Sequence, residues 1–547
     1  MERLSNPEKK NTFFGGAAIL TVGVIIVKLI GALYKIPLAN ILGEEGNGYF
    51  MTAYNIYSVL LTISTGGLPV ALSKSVSEAR ALGKVNQERR IFWVGLSAFF
   101  TLGILSFLVM SFGAGPITVL MNNPGAYYAA LALAPSVLFV CCISAIRGYA
   151  QGQGNMVPTA ISQIIEALSK LIVGLTCAYL FLHYADTISN AVPALNGAQP
   201  LEMAAAGAIL GVTAGTIASF CYLVCSHINR THRDTRRGTD TPQPKGTILA
   251  NLVKVAIPIT IGSSVVPIVN ALDTGIVQGR LQSALNMTVE TASSLYGNYS
   301  AVGNLYSLPS ALMVPFTAAL IPAISAARAR RAPLEAAKVS ESAMRVAMLL
   351  ACPMGFGLFS LATPIVKLLY PGYDSSIAGP ILTILGIASI CTCIVTLCNA
   401  ILQASGFLNL PILTMVIGGV LKIIVNYTLV GIESINVTGA AVGTLCCFGA
   451  AALLDLFVIH RVLPAAPDYG RIFFKPVLSS VIMALSAWAC YGLVYRFTDS
   501  NTLGVLVAIV IAVVLYFALV LALKAISKDD LSLMPKGDKI AKLLRIQ

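Results

Sequence analysis

The chain has 547 residues, of which 56% are hydrophobic and only 11% are charged. Soluble globular proteins carry about 25% charged residues, and the mean hydropathy here is +0.81. Composition therefore excludes a soluble enzyme, a nucleic-acid-binding module and a disordered chain. The formal net charge of +13 needs no nucleic-acid partner if the basic residues lie on one side of a membrane.

Apolar runs of about 20 residues, each long enough to cross a bilayer, recur along the whole chain. They predict an all-α polytopic membrane protein with about 14 transmembrane helices and short loops, the longest outside loop covering about 273–295. The first run is too long for a signal-peptide core and lacks a small-residue cleavage site, so we expect it to be retained. The predicted spans are about 13–33, 47–72, 91–112, 126–150, 158–183, 201–225, 248–272, 296–323, 339–362, 377–403, 411–430, 437–460, 476–496 and 501–523.

Basic residues are divided unevenly between the two sides of the predicted membrane. With the N-terminus inside, the outside segments hold only four of the 36 lysines and arginines, which are Lys35, Arg280, Lys367 and Arg496. Lysine and arginine favour the cytoplasmic side of membrane proteins. The asymmetry therefore predicts that both termini are cytoplasmic, and it accounts for the positive net charge.

The two halves of the chain contain the same short patterns in the same order, which indicates an internal duplication of six spans. Because six is even, both halves begin on the same side, as in transporters that rock two lobes around a central cavity. We predict two pseudo-symmetric six-helix lobes at 1–225 and 248–460, a basic cytoplasmic linker at 226–247, and two C-terminal helices with a cytoplasmic tail at 461–547. The matched patterns are Asn55-Ile-Tyr57 with Asn304-Leu-Tyr306, Gln151-Gly-Gln-Gly154 with Gln403-Ala-Ser-Gly406, Pro158 with Pro411, Lys170 with Lys422, and Gly207-Ala-Ile-Leu-Gly211 with Gly439-Ala-Ala-Val-Gly443.

Glycine and proline interrupt several predicted spans at corresponding positions in the two halves. Interruptions of this kind indicate a transport site, whereas an ordinary proline kink is the alternative for any single position. We predict hinges at Gly66, Gly67 and Pro69 in span 2, at Pro258 and Pro267 in span 7, and at Pro315 in span 8.

No pattern for ATP-driven transport, metal binding or catalysis is evident. The sequence lacks G-x-x-x-x-G-K-[ST] and H-E-x-x-H, so neither a P-loop nor a zinc protease site is predicted. His227 and His232 lie among arginines, and we interpret this segment as a solvated cytoplasmic loop. All 12 cysteines lie in apolar runs and are interpreted as packing residues. We therefore expect no catalytic residue, metal or cofactor.

Five cationic side chains fall inside predicted spans, where each costs at least about 2.5 kcal/mol unless it faces a cavity or a partner. Lys28 lies deep in span 1, and we expect it to face a cavity. Lys170 follows Glu166 by one helical turn, so a structural ion pair is the alternative to a cavity role.

The other three cations have alternatives of their own. Lys254 and Arg345 lie near the cytoplasmic end of their spans and could reach the membrane surface instead. Lys422 lies deeper, with Asp455 as a candidate partner. Five cations against the two clear intramembrane acids, Glu166 and Asp455, indicate an anionic cargo, and lysine suits phosphate as a compact charge.

Polar and aromatic side chains in spans 1, 2 and 8 could add hydrogen bonds to a sugar or amide. The candidates are Tyr34, Asn55, Tyr57, Asn304 and Tyr306, beside the cationic Lys35. For the tyrosines, the aromatic belt at the membrane surface is the alternative.

Three motifs near the N-terminus carry a family resemblance. They are Lys28-Leu-Ile-Gly31-Ala-Leu-Tyr34-Lys35-Ile-Pro37, Gly43-Glu-Glu-Gly46-Asn-Gly48-Tyr49 and Ser64-Thr-Gly66-Gly67-Leu-Pro69-Val-Ala71-Leu-Ser73-Lys74. They resemble the polysaccharide-biosynthesis branch of the multidrug/oligosaccharidyl-lipid/polysaccharide (MOP) exporter superfamily, and within it the stage V sporulation protein B and MurJ-type lipid II flippases.

The resemblance implies flipping of an undecaprenyl-pyrophosphate-linked saccharide from the inner to the outer leaflet of the bacterial cell membrane. It also implies a cavity lined by cations, with Lys28 at the basic position of span 1, and a groove for the lipid tail beside spans 13 and 14. Tyr34 and Lys35 stand near a second basic position of the family, and Leu61-Thr62 stand where an arginine of span 2 is expected.

The sequence thus predicts a non-enzymatic, monomeric flippase that works by alternating access, with a lipid-linked glycan and the bilayer as partners and no nucleic acid. Glu166, Lys170, Arg345, Lys422 and Asp455 are predicted as coupling or structural charges. Two alternatives remain. One is a cation-coupled multidrug antiporter of the same superfamily, which would favour acidic cavity residues. The other is a membrane-integral glycosyltransferase or ligase.

Overall fold

The protein is almost entirely helical in the part that the structure, a computed structural model, describes: residues 7–192, 197–233, 236, 238–330, 332–407, 409–463, 467–523 and 525. No strand occurs among these residues. The helices are α1 (Pro7–Thr65), α2 (Leu68–Ala81), α3 (Val85–Leu120), α4 (Tyr127–Gly152), α5 (Val157–His183), α6 (Ala185–Ala191), α7 (Pro200–Arg233), α8 (Lys245–Leu285), α9 (Val289–Ala329), α10 (Pro333–Ser360), α11 (Ala362–Leu369), α12 (Ser375–Ala404), α13 (Leu410–Leu429), α14 (Thr438–Val462), α15 (Tyr469–Thr498) and α16 (Asn501–Ala522).

Twelve helical stretches in the described residues are long and apolar enough to cross a membrane. The predicted all-α, multi-pass membrane fold is therefore confirmed, while the count of fourteen spans stays a prediction. One of these stretches, Val22–Ala81, has 60 residues. At about 1.5 Å per residue, this is far longer than one crossing of a bilayer with a core of about 30 Å requires.

The predicted loop between spans 1 and 2 is a kink rather than a loop. Helix α1 leaves helical geometry only at Gly43, where φ is 64° and ψ is −171°. This conformation is open to glycine because glycine has no Cβ. Lys35, which the prediction placed outside the spans, therefore lies within a helix.

The predicted long outside loop at 273–295 is wrong. Helix α8 continues to Leu285 and α9 begins at Val289. The apolar run ends near residue 272, but no proline follows it before Asn286, and Gly275 and Gly279 both remain within α8. The helix ends at Asn286, whose φ is 52°. Hydropathy locates the part of a helix that lies in lipid, whereas the helix itself continues until its backbone is interrupted.

Only the glycine pair among the predicted hinges interrupts a helix. Gly66 and Gly67 separate α1 from α2, while α8 continues through Pro258 and Pro267. Gly67 donates its backbone N–H to Thr260 Oγ1 at 3.0 Å. A Cβ on Gly67 would come within 2.1 Å of the Ala256 carbonyl oxygen. The glycine thus also permits close packing against α8. The side chain of Pro315 lies outside the described set.

The chain forms two compact units. The first comprises Met1–Gln282 with Met287–Gly297, and the second comprises Ser283–Asn286 with Asn298–Gln547. The apolar core of the first unit joins α1–α5, α7 and the beginning of α8. In the second unit, one cluster joins α9, α10, α12 and α14, and another includes α15 and α16. The predicted division into lobes at 1–225 and 248–460, a linker and a C-terminal segment concerns parts that move during transport. It therefore stays a prediction.

Two predicted repeat positions have the same internal geometry in both units. In the first unit, a Cβ on Gly211 would lie 2.3 Å from Gly174 Cα and 3.2 Å from the Lys170 carbonyl oxygen. In the second unit, a Cβ on Gly443 would lie 3.3 Å from the Lys422 carbonyl oxygen. In each unit, the matched glycine therefore lies against the backbone of the matched lysine.

Candidate binding cavity

A cavity of about 310 Å³ lies within the first unit, between α1, α4 and α5. Among the described residues, its lining includes three cationic side chains and one acidic side chain. The residues that matter for its chemistry are Lys28, Tyr34, Arg147, Gln163, Glu166 and Lys170. Two predicted site cations, Lys28 and Lys170, are thus brought to one cavity.

Arg147 neutralises the acidic member of this cavity. Its guanidinium lies 3.2 Å from the Glu166 carboxylate, and both side chains are largely buried, with 16% and 25% exposed. Arg147 also donates to Ser162 Oγ at 2.9 Å and to Ser219 Oγ at 3.1 Å. Hydrogen bonds to several groups offset the cost of removing such a pair from water.

The pairing of Glu166 differs from the predicted alternative, in which it would pair with Lys170. Arg147 reaches Glu166 from the neighbouring helix α4, while the Lys170 ammonium lies 5.8 Å from the centre of the Tyr54 ring. This distance permits a cation–π contact. Neither Lys28 nor Lys170 has a carboxylate partner in the part of the chain that the structure describes.

Lys35 adds a third lysine to this region. It lies on the helical part of α1 and interacts electrostatically with both Lys28 and Lys170. Like charges repel one another, and a bound anion or intervening water weakens this repulsion. The three lysines therefore form an electropositive group that favours an anionic ligand.

The predicted hydroxyl and amide groups of the first unit are mostly used in packing. Tyr34 is 3% exposed, and its hydroxyl donates to the Ala208 carbonyl oxygen at 3.4 Å. Tyr57 is 4% exposed. Asn55 donates to Thr274 Oγ1 at 2.9 Å and to the Tyr296 hydroxyl at 3.0 Å. Of these three, only Tyr34 lines the cavity.

The other predicted binding residues lie elsewhere. Lys254 is exposed on α8, within the first unit but outside the cavity lining. Asn304 and Tyr306 lie on α9 within the second unit, both partly buried. Their predicted role in cargo binding stays a prediction.

The remaining predicted charges belong to the second unit. Arg345 forms an ion pair with Glu341 at 3.1 Å, one turn earlier on α10. Lys422 is 5% exposed. Asp455 is fully buried and accepts a hydrogen bond from Thr414 Oγ1 at 2.7 Å. The sequence suggested Lys422 as the partner of Asp455. Among the described residues, the partner found is Thr414.

Arg147 lines the cavity but was not among the predicted site residues. The short turn after α4 could have predicted that Arg147 lies near α5. Consecutive antiparallel helices bring residues on either side of such a turn close together, and Ser162 and Glu166 share one face of α5. An arginine shortly before the turn is therefore a natural partner for Glu166.

His227 is not in a solvated loop, contrary to the prediction. Helix α7 extends to Arg233, and the His227 ring stacks on Phe92 with ring centres 4.5 Å apart. The Tyr149 ring also contacts this imidazole, with ring centres 5.6 Å apart. Within the described residues, no group of three or more histidine, cysteine, aspartate or glutamate side chains is arranged to hold a metal ion.

An apolar groove of about 730 Å³ lies within the second unit, between α9, α10, α15 and α16. Its walls are formed by aliphatic and aromatic side chains such as Leu305, Leu349, Met483, Tyr516 and Phe517. The Tyr516 hydroxyl donates to the Leu349 carbonyl oxygen at 2.7 Å, so this polar group is satisfied within the wall. The groove suits a hydrocarbon chain.

A family model and individual relatives match this chain and indicate the same family. The family described as polysaccharide biosynthesis protein matches residues 13–328. Stage V sporulation protein B of Bacillus subtilis (strain 168) is 26% identical over 96% of this chain and 98% of its own length. Lipid II flippase MurJ of the same organism is 24% identical over 91% of this chain and 92% of its own length.

Solved structures have the same fold. The inward closed conformation of lipid II flippase MurJ has a TM-score of 0.67 at 15% identity, covering 92% of this chain and 98% of that one. An inward-facing multidrug resistance MATE family transporter of the MOP superfamily has a TM-score of 0.62 at 14% identity, covering 82% of this chain and 98% of that one. The predicted resemblance is confirmed.

Proposed function

Since the chain belongs to the polysaccharide biosynthesis protein family, we propose that it flips an undecaprenyl-pyrophosphate-linked saccharide from the inner to the outer leaflet of the bacterial cell membrane. The protein would act by alternating access, as a monomer, without chemical change to its cargo and with both termini in the cytoplasm. The similarity to a lipid II flippase over most of both chains supports the class of cargo.

The electropositive cavity is the observation that carries this proposal. Arg147 offsets Glu166, so Lys28 and Lys170 remain as cationic groups of the lining without an acidic partner among the described residues. Lysine ammonium groups bind phosphate as compact point charges. A pyrophosphate group would supply the negative charge that this lining lacks.

The apolar groove of the second unit supports the lipid part of the cargo. A polyprenyl tail has no polar group, and the groove walls offer apolar contact of the matching kind. The tail would remain in this apolar environment while the sugars cross in a hydrated cavity.

The membrane potential would assist export of an anionic headgroup. An inside-negative potential favours outward movement of negative charge by about 2.3 kcal/mol per elementary charge per 100 mV. After release, the cavity lysines carry positive charge that the same potential draws inward. No separate coupling ion is needed in this scheme.

A leaflet-accessibility assay tests the proposal. Proteoliposomes would contain a fluorescent undecaprenyl-pyrophosphate-linked oligosaccharide, and a membrane-impermeant reagent would report its arrival in the opposite leaflet. We expect the Lys28→Gln, Lys170→Gln double variant to flip the lipid at least about tenfold more slowly than the unmodified protein, because two charged contacts to phosphate are lost.

Lys74→Gln is the matched control, because Lys74 is 61% exposed and pairs, among the described residues, with Glu78 on the same helix. This variant should flip at the unmodified rate. An unchanged rate in the folded double variant, or no flipping by the unmodified protein, would contradict the proposal.

A cation-coupled multidrug antiporter is the second candidate. Asp455 favours it, because this fully buried carboxylate has one oxygen without a hydrogen-bond partner among the described residues. Efflux assays with several cationic dyes separate the two functions. The flippase proposal expects no efflux above that of empty vesicles, while an antiporter would show efflux that Asp455→Asn abolishes.

A further inference from the structure

A second pocket of about 310 Å³ lies in the first unit, and it shares no lining residue with the candidate binding cavity. We call it the arginine pocket and define it by Arg80, Arg89, Trp93, Gln153, Arg230 and Arg236. Its lining comes from α2, α3, α4 and the end of α7, together with Arg236. Neither the family nor the cargo explains why four arginines converge here.

Glu88 is a buried carboxylate that contacts three of the residues that define the pocket. Its carboxylate is 1% exposed and lies 3.1 Å from Arg236 and 3.6 Å from Arg80. Gln153 donates to the same carboxylate at 2.7 Å. Glu88 is therefore engaged in buried contacts with Arg80, Arg236 and Gln153.

Arg230 is the arginine that this carboxylate does not reach. Its guanidinium donates to Gln153 Oε1 at 3.2 Å, and no carboxylate partner is present for it in the described ranges. Gln153 thus bridges Glu88 and Arg230 and holds the Arg230 guanidinium at the pocket. A guanidinium group held in this way is prepared for bidentate contact with phosphate oxygens.

An exposed tryptophan, Trp93, borders the arginine pocket. Its side chain is 63% exposed, next to Phe92, whose ring packs on His227 and Tyr149. Exposed tryptophan is typical of the headgroup level of a bilayer. Basic pockets between helices at this level bind anionic lipid headgroups.

We propose that the arginine pocket is a binding site for a phosphate-bearing anion, distinct from the site of the transported cargo. The shared chemistry is a phosphate group that accepts hydrogen bonds from Arg230 and Arg89. Such a group is available as an anionic phospholipid headgroup or as a soluble phosphate compound, and the position of Trp93 favours the headgroup.

The fluorescence of Trp93 can report binding at the arginine pocket. The chain contains two tryptophans, so the full-length Trp488→Phe variant leaves Trp93 as the only one. This protein would be placed in phosphatidylcholine nanodiscs. One series adds increasing fractions of phosphatidylglycerol, and the other adds inorganic phosphate at constant ionic strength. We expect a saturable change in Trp93 emission.

Each arm identifies one source of the anion. Saturation with phosphatidylglycerol alone identifies a lipid headgroup site, while saturation with inorganic phosphate identifies a site for soluble phosphate compounds. In the responding series, Arg230→Gln should weaken apparent affinity about five- to tenfold, since one charged contact is lost. Lys74→Gln, which removes an exposed lysine outside the pocket, should leave affinity unchanged.

Two results would overturn the proposal. One is the absence of a saturable response in both series. The other is unchanged affinity in Arg230→Gln when its melting temperature matches that of the unmodified protein. If Arg230→Gln does not fold, Arg89→Gln decides in the same way, because Arg89 is exposed and contacts the Arg236 carbonyl oxygen rather than the buried carboxylate.

Discussion

Arg147 decides which charges of the candidate cavity are available to a ligand. It pairs with Glu166 and bonds to Ser162 and Ser219, so the acidic side chain found among the described lining residues is already engaged. Lys28 and Lys170 then give the lining its positive character. The sequence indicated both lysines through their position inside apolar runs, but it could not show which cation would meet Glu166.

A double-mutant cycle tests the Arg147–Glu166 pair. We expect Arg147→Gln and Glu166→Gln each to lower the free energy of unfolding by about 1–3 kcal/mol, because each leaves a charged partner poorly satisfied. The double variant should lose less than the sum of the two single changes, since the two residues are in contact. Thermal unfolding in detergent measures all three.

The exposed pair of Lys74 and Glu78 provides the control cycle, with side chains 61% and 64% exposed. Exposed pairs contribute about 0–1 kcal/mol, so this cycle should show little coupling. Strictly additive losses at Arg147 and Glu166 would contradict the inferred pairing.

At the scale of helices, glycine determines how closely the elements pack. Gly211 on α7 meets Gly174 on α5 so closely that a Cβ would lie 2.3 Å from a backbone atom. Such contacts between small residues are typical of membrane helices. The repeated Gly-x-x-x-Gly patterns predicted that these helices correspond, and the structure shows why the glycines are needed.

Substitution of Gly211 by alanine should therefore destabilise the protein by about 1–3 kcal/mol, because the backbones of α5 and α7 must separate. Gly449 on α14 is the matched control, since a Cβ there meets nothing within 4 Å. Gly449→Ala should be neutral or stabilising by up to about 1 kcal/mol, because alanine favours a helix. Melting temperatures of the two variants should move in opposite directions or differ clearly, and equal losses would contradict this packing.

The segment after α7 is docked rather than free. The Asp240 carboxylate accepts hydrogen bonds from the backbone N–H groups of Asn86 at 2.9 Å and Gln87 at 2.8 Å, at the beginning of α3. Desolvation alone would raise the pKa of Asp240, but these N–H groups outweigh it and hold the pKa below its ordinary value of 3.8. The predicted linker thus has a specific acidic attachment point.

A depressed pKa in the folded state means that the ionised form of Asp240 stabilises the docked segment. This contribution is complete above pH 3.8 and is lost as the pH falls through the lower pKa of the folded state. Asp240→Asn should therefore speed amide exchange at Asn86 and Gln87 at neutral pH. The difference in melting temperature from the unmodified protein should shrink in acid, and a difference that grows in acid would contradict the assignment.

For the whole molecule, apolar run length predicted the helical membrane fold well, because the bilayer imposes both helix length and composition. It failed at helix ends. The stretch from Asp273 to Leu285 is polar enough to look like a loop, yet it belongs to α8. Contacts between helices, such as Arg147 with Glu166 or Asn55 with Tyr296, depend on helix packing, and an alternation of apolar and polar runs does not encode them.

The proposed function depends on a negatively charged headgroup in the cargo, and the voltage dependence of flipping measures that charge. Proteoliposomes would receive either a pyrophosphate-linked or an uncharged polyprenyl-linked sugar under an imposed potential. We predict that an inside-negative potential speeds outward flipping of the pyrophosphate lipid only, and that the Lys28→Gln, Lys170→Gln double variant loses this selectivity. Equal flipping of both lipids by the unmodified protein, whatever the potential, would contradict the account.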